Sequence, residues 1–158
     1  MRFNPIAAFL LALAAGLPAL ADDERVPPIT STAVSDECGA CHMAFQPQFL
    51  PRRSWQRIMD GLADHFGEDA SLPEGTRREI TAYLLANAAD TSRSREGRRF
   101  AAAIGRGEPP LRITEMPRWV AEHRGEVRPS AWKSPRVGSK ANCPACHRGA
   151  NDGYYDDD

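Results

Sequence analysis

One short pattern, present twice, constrains this chain more than anything else in it: CGACH at 38–42 and CPACH at 143–147. Both read C-x-x-C-H, the spacing of covalent c-type haem attachment. Residues three apart lie on one side of a helical turn, so both sulfurs reach the two vinyl groups along one porphyrin edge. The histidine that follows sits where its imidazole swings under the macrocycle and binds the iron axially. Cys38, Cys41, Cys143 and Cys146 are thus candidate attachment points for two covalently bound haem c groups, with His42 and His147 as candidate iron ligands. A thioredoxin-like redox pair would stand at the head of a helix after a strand, and the chain carries no convincing alternating β pattern. Zinc requires no histidine directly after both cysteine pairs, and exported thiols are not a usual zinc cage.

Two six-coordinate irons need four axial ligands, and the chain holds 4 histidines. The two left over are His65 and His123. Around the first, SWQRIMDGLADHF places Trp55, Ile58, Met59, Leu62 and Phe66 at helical spacing. Ser54 is the expected N-cap there, and Ile58 and Leu62 fall on the face of His65. Around the second, TEMPRWVAEH places Met116 and Val120 on the face of His123, with Trp119 one turn before it. Glycines follow both, Gly67 and Gly125, as helix stops. The spacing predicts two short helices, each ending in a histidine beside apolar groups suited to lie against a porphyrin. Met116 is the one competing sixth ligand, and Met/His ligation would raise the reduction potential. Pairing His42 with His65 and His147 with His123 is natural, and a crossed arrangement stays open.

The N-terminus reads as an export signal. Arg2 precedes the apolar run IAAFLLALAAGLPAL, an Ala19-Leu20-Ala21 cleavage site and the acidic cluster Asp22, Asp23, Glu24. Residues 1–21 are expected to be removed, leaving an exported, periplasmic protein with no later segment apolar enough to span a bilayer. An even cysteine count in that compartment would ordinarily mean disulfides, and the C-x-x-C-H spacing argues otherwise. With 13 prolines and 12 glycines the chain is poor in core material, so two haems would supply part of the interior. The balance of 20 Lys and Arg against 21 Asp and Glu gives no basic excess pointing to nucleic acid.

The expected fold is mainly α, short helices and loops around two covalent haems. Residues 22–108 form an N-terminal haem 1 domain, and 109–158 a C-terminal haem 2 segment with an acidic tail. DDERVPPITSTAVSDE reads as extended and MAFQPQFLPRR as a Pro-interrupted loop along the haem edge. SLPEGTRREITAYLLANAA is the best helix, with a capping box of Ser71 and Glu74 and a stripe of Ile80, Tyr83, Leu84 and Ala88. Arg93, Arg95, Arg98 and Arg99 read as a solvated helix face, GRGEPP as a linker, RPSAWKSPRVGSK as loop, and NDGYYDDD as a frayed terminus.

The segments CGACH, WQRIMDGLADHFGEDASL, LRITEMPRWVAEH and SKANCPACHRGANDGYYDDD resemble the soluble dihaem cytochrome c family associated with the oxygen-binding monohaem sphaeroides haem protein. The resemblance implies a class I cytochrome c-like N-terminal part, a smaller and less regular C-terminal part, and bis-histidine ligation at both irons. It makes His65 and His123 the distal ligands opposite His42 and His147. It also implies electron transfer to a monohaem partner, with a membrane b-type cytochrome upstream, and no catalysis of its own. Saturated irons leave substrate no coordination position. Two other functions compete: a peroxidase-like or gas-binding protein with one open iron, and a dihaem electron-entry subunit of a periplasmic reductase.

Overall fold

The computed structural model describes residues 25–105 and 107–156, so the signal segment 1–21 lies outside the described residues. Among the described residues six α-helices carry the fold: α1 (Thr32–Cys38), α2 (Arg52–Asp60), α3 (Glu74–Asn87), α4 (Arg95–Ala103), α5 (Pro117–His123) and α6 (Pro129–Trp132). Short 3-10 turns link them. Among the described residues the only β pairings are the isolated bridges Arg25–Tyr154 and His65–Glu68. No helix among them is long and apolar enough to cross a membrane.

The longest helix, α3, buries Ile80 and Leu84 against α2 and α1. Its start differs from the expected capping box. Pro73, with φ −53, occupies the N-cap position, and Ser71 stands too early to cap; its amide instead donates to Asp69 Oδ1 at 2.9 Å. Glu74 turns to Arg77 at 2.9 Å, an exposed pair within the first turn that holds its carboxyl below the usual range.

Helix α2 also departs from expectation. Pro51 is its N-cap, and Ser54 lies inside it, buried, with its hydroxyl donating to Pro110 O at 2.7 Å. It does not run to His65. The Gly61 amide closes the last turn on Arg57 O and Ile58 O, both at 3.1 Å, and the chain drops into a 3-10 turn over Leu62–Asp64. Leu62 goes to the core, so it forms no common helical face with His65. His65 sits in an irregular turn, its amide donating to Glu68 O at 2.7 Å. Phe66 (φ 57) and Gly67 (φ 101) bend the backbone into the left-handed region there.

Segments read as extended or loop carry more structure than their composition indicates. Thr32–Cys38 is helical, with Ser31 Oγ accepting from Val34 N at 3.4 Å, and its last residue delivers the first attachment cysteine. The run 46–51 is buried and makes a 3-10 turn over Pro47–Phe49 that packs on α3 and α4. Pro129–Trp132 forms a single helical turn. In α4, capped by Ser94, Glu96 and Phe100 face inward while Arg95 and Arg98 stay exposed, as a solvated basic face should.

One apolar cluster joins N-terminal residues such as Val34, Trp55, Ile80 and Leu84 to Ile113, Met116 and Trp119. The C-terminal tail is anchored to it, contrary to the expectation of fraying through Asp156. Val26 N donates to Gly153 O at 2.9 Å, and Gly153 adopts φ +85. A Cβ there would fall 2.1 Å from Val26 O. Gly153→Ala should therefore destabilise the holoprotein by about 2 kcal/mol or more, read as a lowered Tm; an unchanged Tm would contradict the close approach.

Candidate haem-binding sites

Each C-x-x-C-H sequence begins at the end or the start of a helical turn. Cys38 closes α1, and Cys143 opens a 3-10 turn over Cys143–Ala145 whose bonds include His147 N to Cys143 O at 2.9 Å. No disulfide joins the cysteines of either pair. Nor do they gather into a zinc cage: among the described residues no three His, Cys, Asp or Glu converge on one point.

The fold brings the four histidines together as two pairs. The rings of His42 and His65 have centroids 6.2 Å apart and lie 21° from parallel. Those of His123 and His147 are also 6.2 Å apart but cross at 85°. Across one metal ion, two metal–nitrogen bonds of about 2 Å plus the offset from nitrogen to ring centre set two imidazole centres roughly 6 Å apart. Both pairs have that spacing.

Hydrogen bonding indicates which nitrogen three of the four rings present. His42 Nδ1 lies 2.7 Å from Met43 O, His123 Nδ1 2.8 Å from Trp119 O, and His147 Nδ1 3.5 Å from Asp156 O. A carbonyl only accepts, so in each case Nδ1 carries the proton and Nε2 keeps the lone pair. Burial depresses the pKa of His65, helped by His42 and Arg112. Burial likewise depresses His123, against the opposing bond to Trp119 O. Both shifts favour the neutral ring, the form in which imidazole binds a metal.

A cavity of about 610 Å³ adjoins the second pair, lined among others by Cys143, Cys146, His147, His123, Trp119, Phe100 and Tyr155. Its size and partly apolar wall suit a cofactor. Trp119 stacks on His123 at 4.0 Å and 16°, which holds the imidazole plane. Behind it, buried Glu96 bonds Arg99 at 3.1 Å and Arg118 at 3.0 Å, and Arg118 continues to Glu122. That network ties α5, which ends in His123, to α4. The first pair lies nearer solvent, with Cys41 and His42 exposed.

The dihaem cytochrome c family pattern matches residues 34–155. The chain belongs to the dihaem cytochrome c family. Two solved structures of the Rhodobacter sphaeroides dihaem cytochrome c align with it. One is 43% identical with a TM-score of 0.73, covering 82% of this chain and 99% of that one. The other is 42% identical with a TM-score of 0.66, covering 80% and 98%. A dihaem cytochrome c from Shewanella baltica is 31% identical, with a TM-score of 0.64 over 79% of this chain and 86% of its own. None of the curated proteins matched the chain.

As a dihaem cytochrome c, the protein binds two covalent haems at its C-x-x-C motifs, Cys38/Cys41 and Cys143/Cys146. The residues around the motifs fit that group by spacing, by tautomer and, at the second motif, by volume. Met116 lies fully buried within the apolar cluster at the N-cap of α5 and does not line the cavity.

Several residues of these sites escaped the sequence. Phe45 stacks on His42 at 5.1 Å and Arg112 covers the Phe66 ring at 4.0 Å. Tyr155 lies 5.7 Å from His147 and 5.0 Å from Phe49, and its hydroxyl donates to Gln46 Oε1 at 2.5 Å. Trp132 flanks both Trp119 and His123, at 5.7 and 5.9 Å. An aromatic residue in an otherwise polar Pro/Ser loop was the one available signal for Trp132.

Proposed function

We propose that this dihaem cytochrome c carries electrons in the periplasm through two low-potential, bis-histidine irons. In this reading His42 and His65 bind the iron of the haem held by Cys38 and Cys41, and His147 and His123 that of the haem held by Cys143 and Cys146. Residues 22–108 and 109–158 then each carry one haem. The observation that supports it is the pair of imidazole separations, both 6.2 Å.

Each haem supplies a one-electron Fe(III)/Fe(II) couple. The chain's own part would be to offer two neutral imidazoles to each iron, His42 with His65 and His147 with His123, so that no position would be left for an exogenous ligand. Carbonyls of Met43, Trp119 and Asp156 hold three of the four rings by their Nδ1–H groups. Such bonds raise the basicity of the ligating nitrogen and favour the ferric state. The export signal at 1–21 supports the compartment. The likeness to the family associated with sphaeroides haem protein supports a membrane b-type cytochrome as donor and a monohaem protein of that kind as acceptor.

The test is a potentiometric titration of the holoprotein. It should take up two electrons per chain, both at potentials below those of Met/His cytochromes c, and the reduced form should not bind carbon monoxide at neutral pH. Tight carbon monoxide binding would contradict the reading and favour a gas-binding or peroxidase-like protein.

A further inference from the structure

The stretch 127–151, which supplies the second C-x-x-C-H motif, contains no Asp or Glu and five basic residues: Arg128, Lys133, Arg136, Lys140 and Arg148. The chain as a whole is close to neutral, at −1. All five are exposed. The segment is tightly folded on itself: Val137 N and Gly138 N donate to Ser134 O at 3.0 and 3.1 Å, and Asn142 Nδ2 to Val137 O at 3.0 Å. Of the five, Lys140 lines the haem 2 cavity together with Trp132, Val137 and Asn142, in a lining that also holds Glu96, Glu122, Glu126 and Asp156; the other four cations lie outside it, on the loop around Trp132 and beside the second motif.

An aromatic cluster starts at that same cavity wall. Trp132 is half-buried and flanks Trp119, which stacks on His123 at 4.0 Å. The Lys140 ammonium lies 5.9 and 5.8 Å from the Trp119 and Trp132 ring centres. Charge meets a short aromatic route to one imidazole here, tilted by 42° between Trp132 and Trp119 and stacked between Trp119 and His123. We infer that the loop around Trp132 is the docking surface for an acidic redox protein, and that its electrons enter or leave at haem 2 through Trp132, Trp119 and His123. This rests on the proposed electron-carrier function and on His123 as a ligand. In each exchange the partner loses or gains one electron and one iron changes between Fe(III) and Fe(II); no bond forms or breaks.

The competing use for these cations is neutralising the haem propionates. Lys133 and Arg136 separate the two ideas, because neither lines the cavity. The experiment uses holoprotein, wild type and Lys133→Glu/Arg136→Glu, with flavodoxin as an acidic probe. Stopped-flow reduction by flavodoxin hydroquinone and calorimetric binding of oxidised flavodoxin are followed at low and physiological ionic strength. For the wild type both rate and affinity should fall as salt rises, since surface attraction is screened beyond about 10 Å at 0.1 M. The double variant should lose about tenfold in low-salt rate and show a flatter salt dependence, with both midpoint potentials unchanged. Equal rates and salt dependence in the variant, or haem 2 potentials that move with the substitutions, would overturn the docking surface. If small neutral mediators also fail to reduce haem 2, the electron-carrier reading falls and this surface with it. A variant that reacts well with mediators but no differently from wild type with flavodoxin sinks the surface alone.

Discussion

His123→Met should raise the potential of haem 2 by the order of 0.1 V or more and leave haem 1 where it was. Axial ligand identity commands roughly 0.8 V across haem proteins, and thioether sulfur stabilises Fe(II) relative to imidazole. The shift has a second source here. The substitution removes the Nδ1–H bond to Trp119 O at 2.8 Å and the stack on Trp119, both of which hold the ligand plane. His65→Met should do the same for haem 1. The control for misfolding is His123→Gly: it should open one iron to carbon monoxide in the reduced state, and added imidazole should close it again. A His123→Met protein with both potentials unmoved would remove His123 from the iron. Rescue of the glycine variant by imidazole is an outcome that a purely structural histidine would not give.

The second large effect belongs to a residue that touches neither iron. Gln46 is fully buried, and its amide donates to Ala150 O at 2.8 Å while its Oε1 accepts from the Tyr155 hydroxyl at 2.5 Å. It thereby joins the segment after the first motif to the segment after the second. Gln46→Ala leaves the Ala150 carbonyl and the Tyr155 hydroxyl unpaired and opens a hole, a cost of about 2–4 kcal/mol. Tyr155→Phe keeps the ring against Phe49 and His147 and loses only the hydroxyl, so about 1–3 kcal/mol is expected. Thermal unfolding of the holoproteins, followed by the haem absorption band, measures both. If Gln46→Ala unfolds within a degree of wild type, the buried bridge is not holding the two segments together.

What the sequence made legible was the chemistry encoded in local spacing. The C-x-x-C-H motifs declare themselves because covalent attachment and the first axial ligand fall within five consecutive residues. The helix at 74–87 was visible because Ile80 and Leu84 recur at its period. The place of His65 was foreseen as a helix end, and the structure gives an irregular turn instead. Gly61 stops α2 after Asp60, and apolar spacing alone does not register a C-cap glycine in mid-pattern. Helix α1 was missed because it buries only Val34 and shows no stripe. The polar composition of the tail points to fraying. Its anchoring comes from partners far away in the chain, Gln46 for Tyr155 and Val26 for Gly153, and no periodicity carries such contacts. The cationic loop at 127–151 was hidden by a net charge that averages it against the acids elsewhere.

Low-temperature EPR of the oxidised holoprotein tests bis-histidine ligation at both irons most directly, because the two imidazole pairs differ in geometry. Near-parallel rings, as at His42 and His65 with 21° between them, split the two iron π orbitals in the same sense and give an ordinary rhombic low-spin spectrum. Rings crossed at 85°, as at His123 and His147, oppose each other, leave those orbitals nearly degenerate and give a strongly anisotropic low-spin signal. The spectrum should therefore contain one signal of each kind, in equal amounts, with no high-spin iron. A stoichiometric high-spin signal, or a low-spin signal from one iron only, would contradict the account.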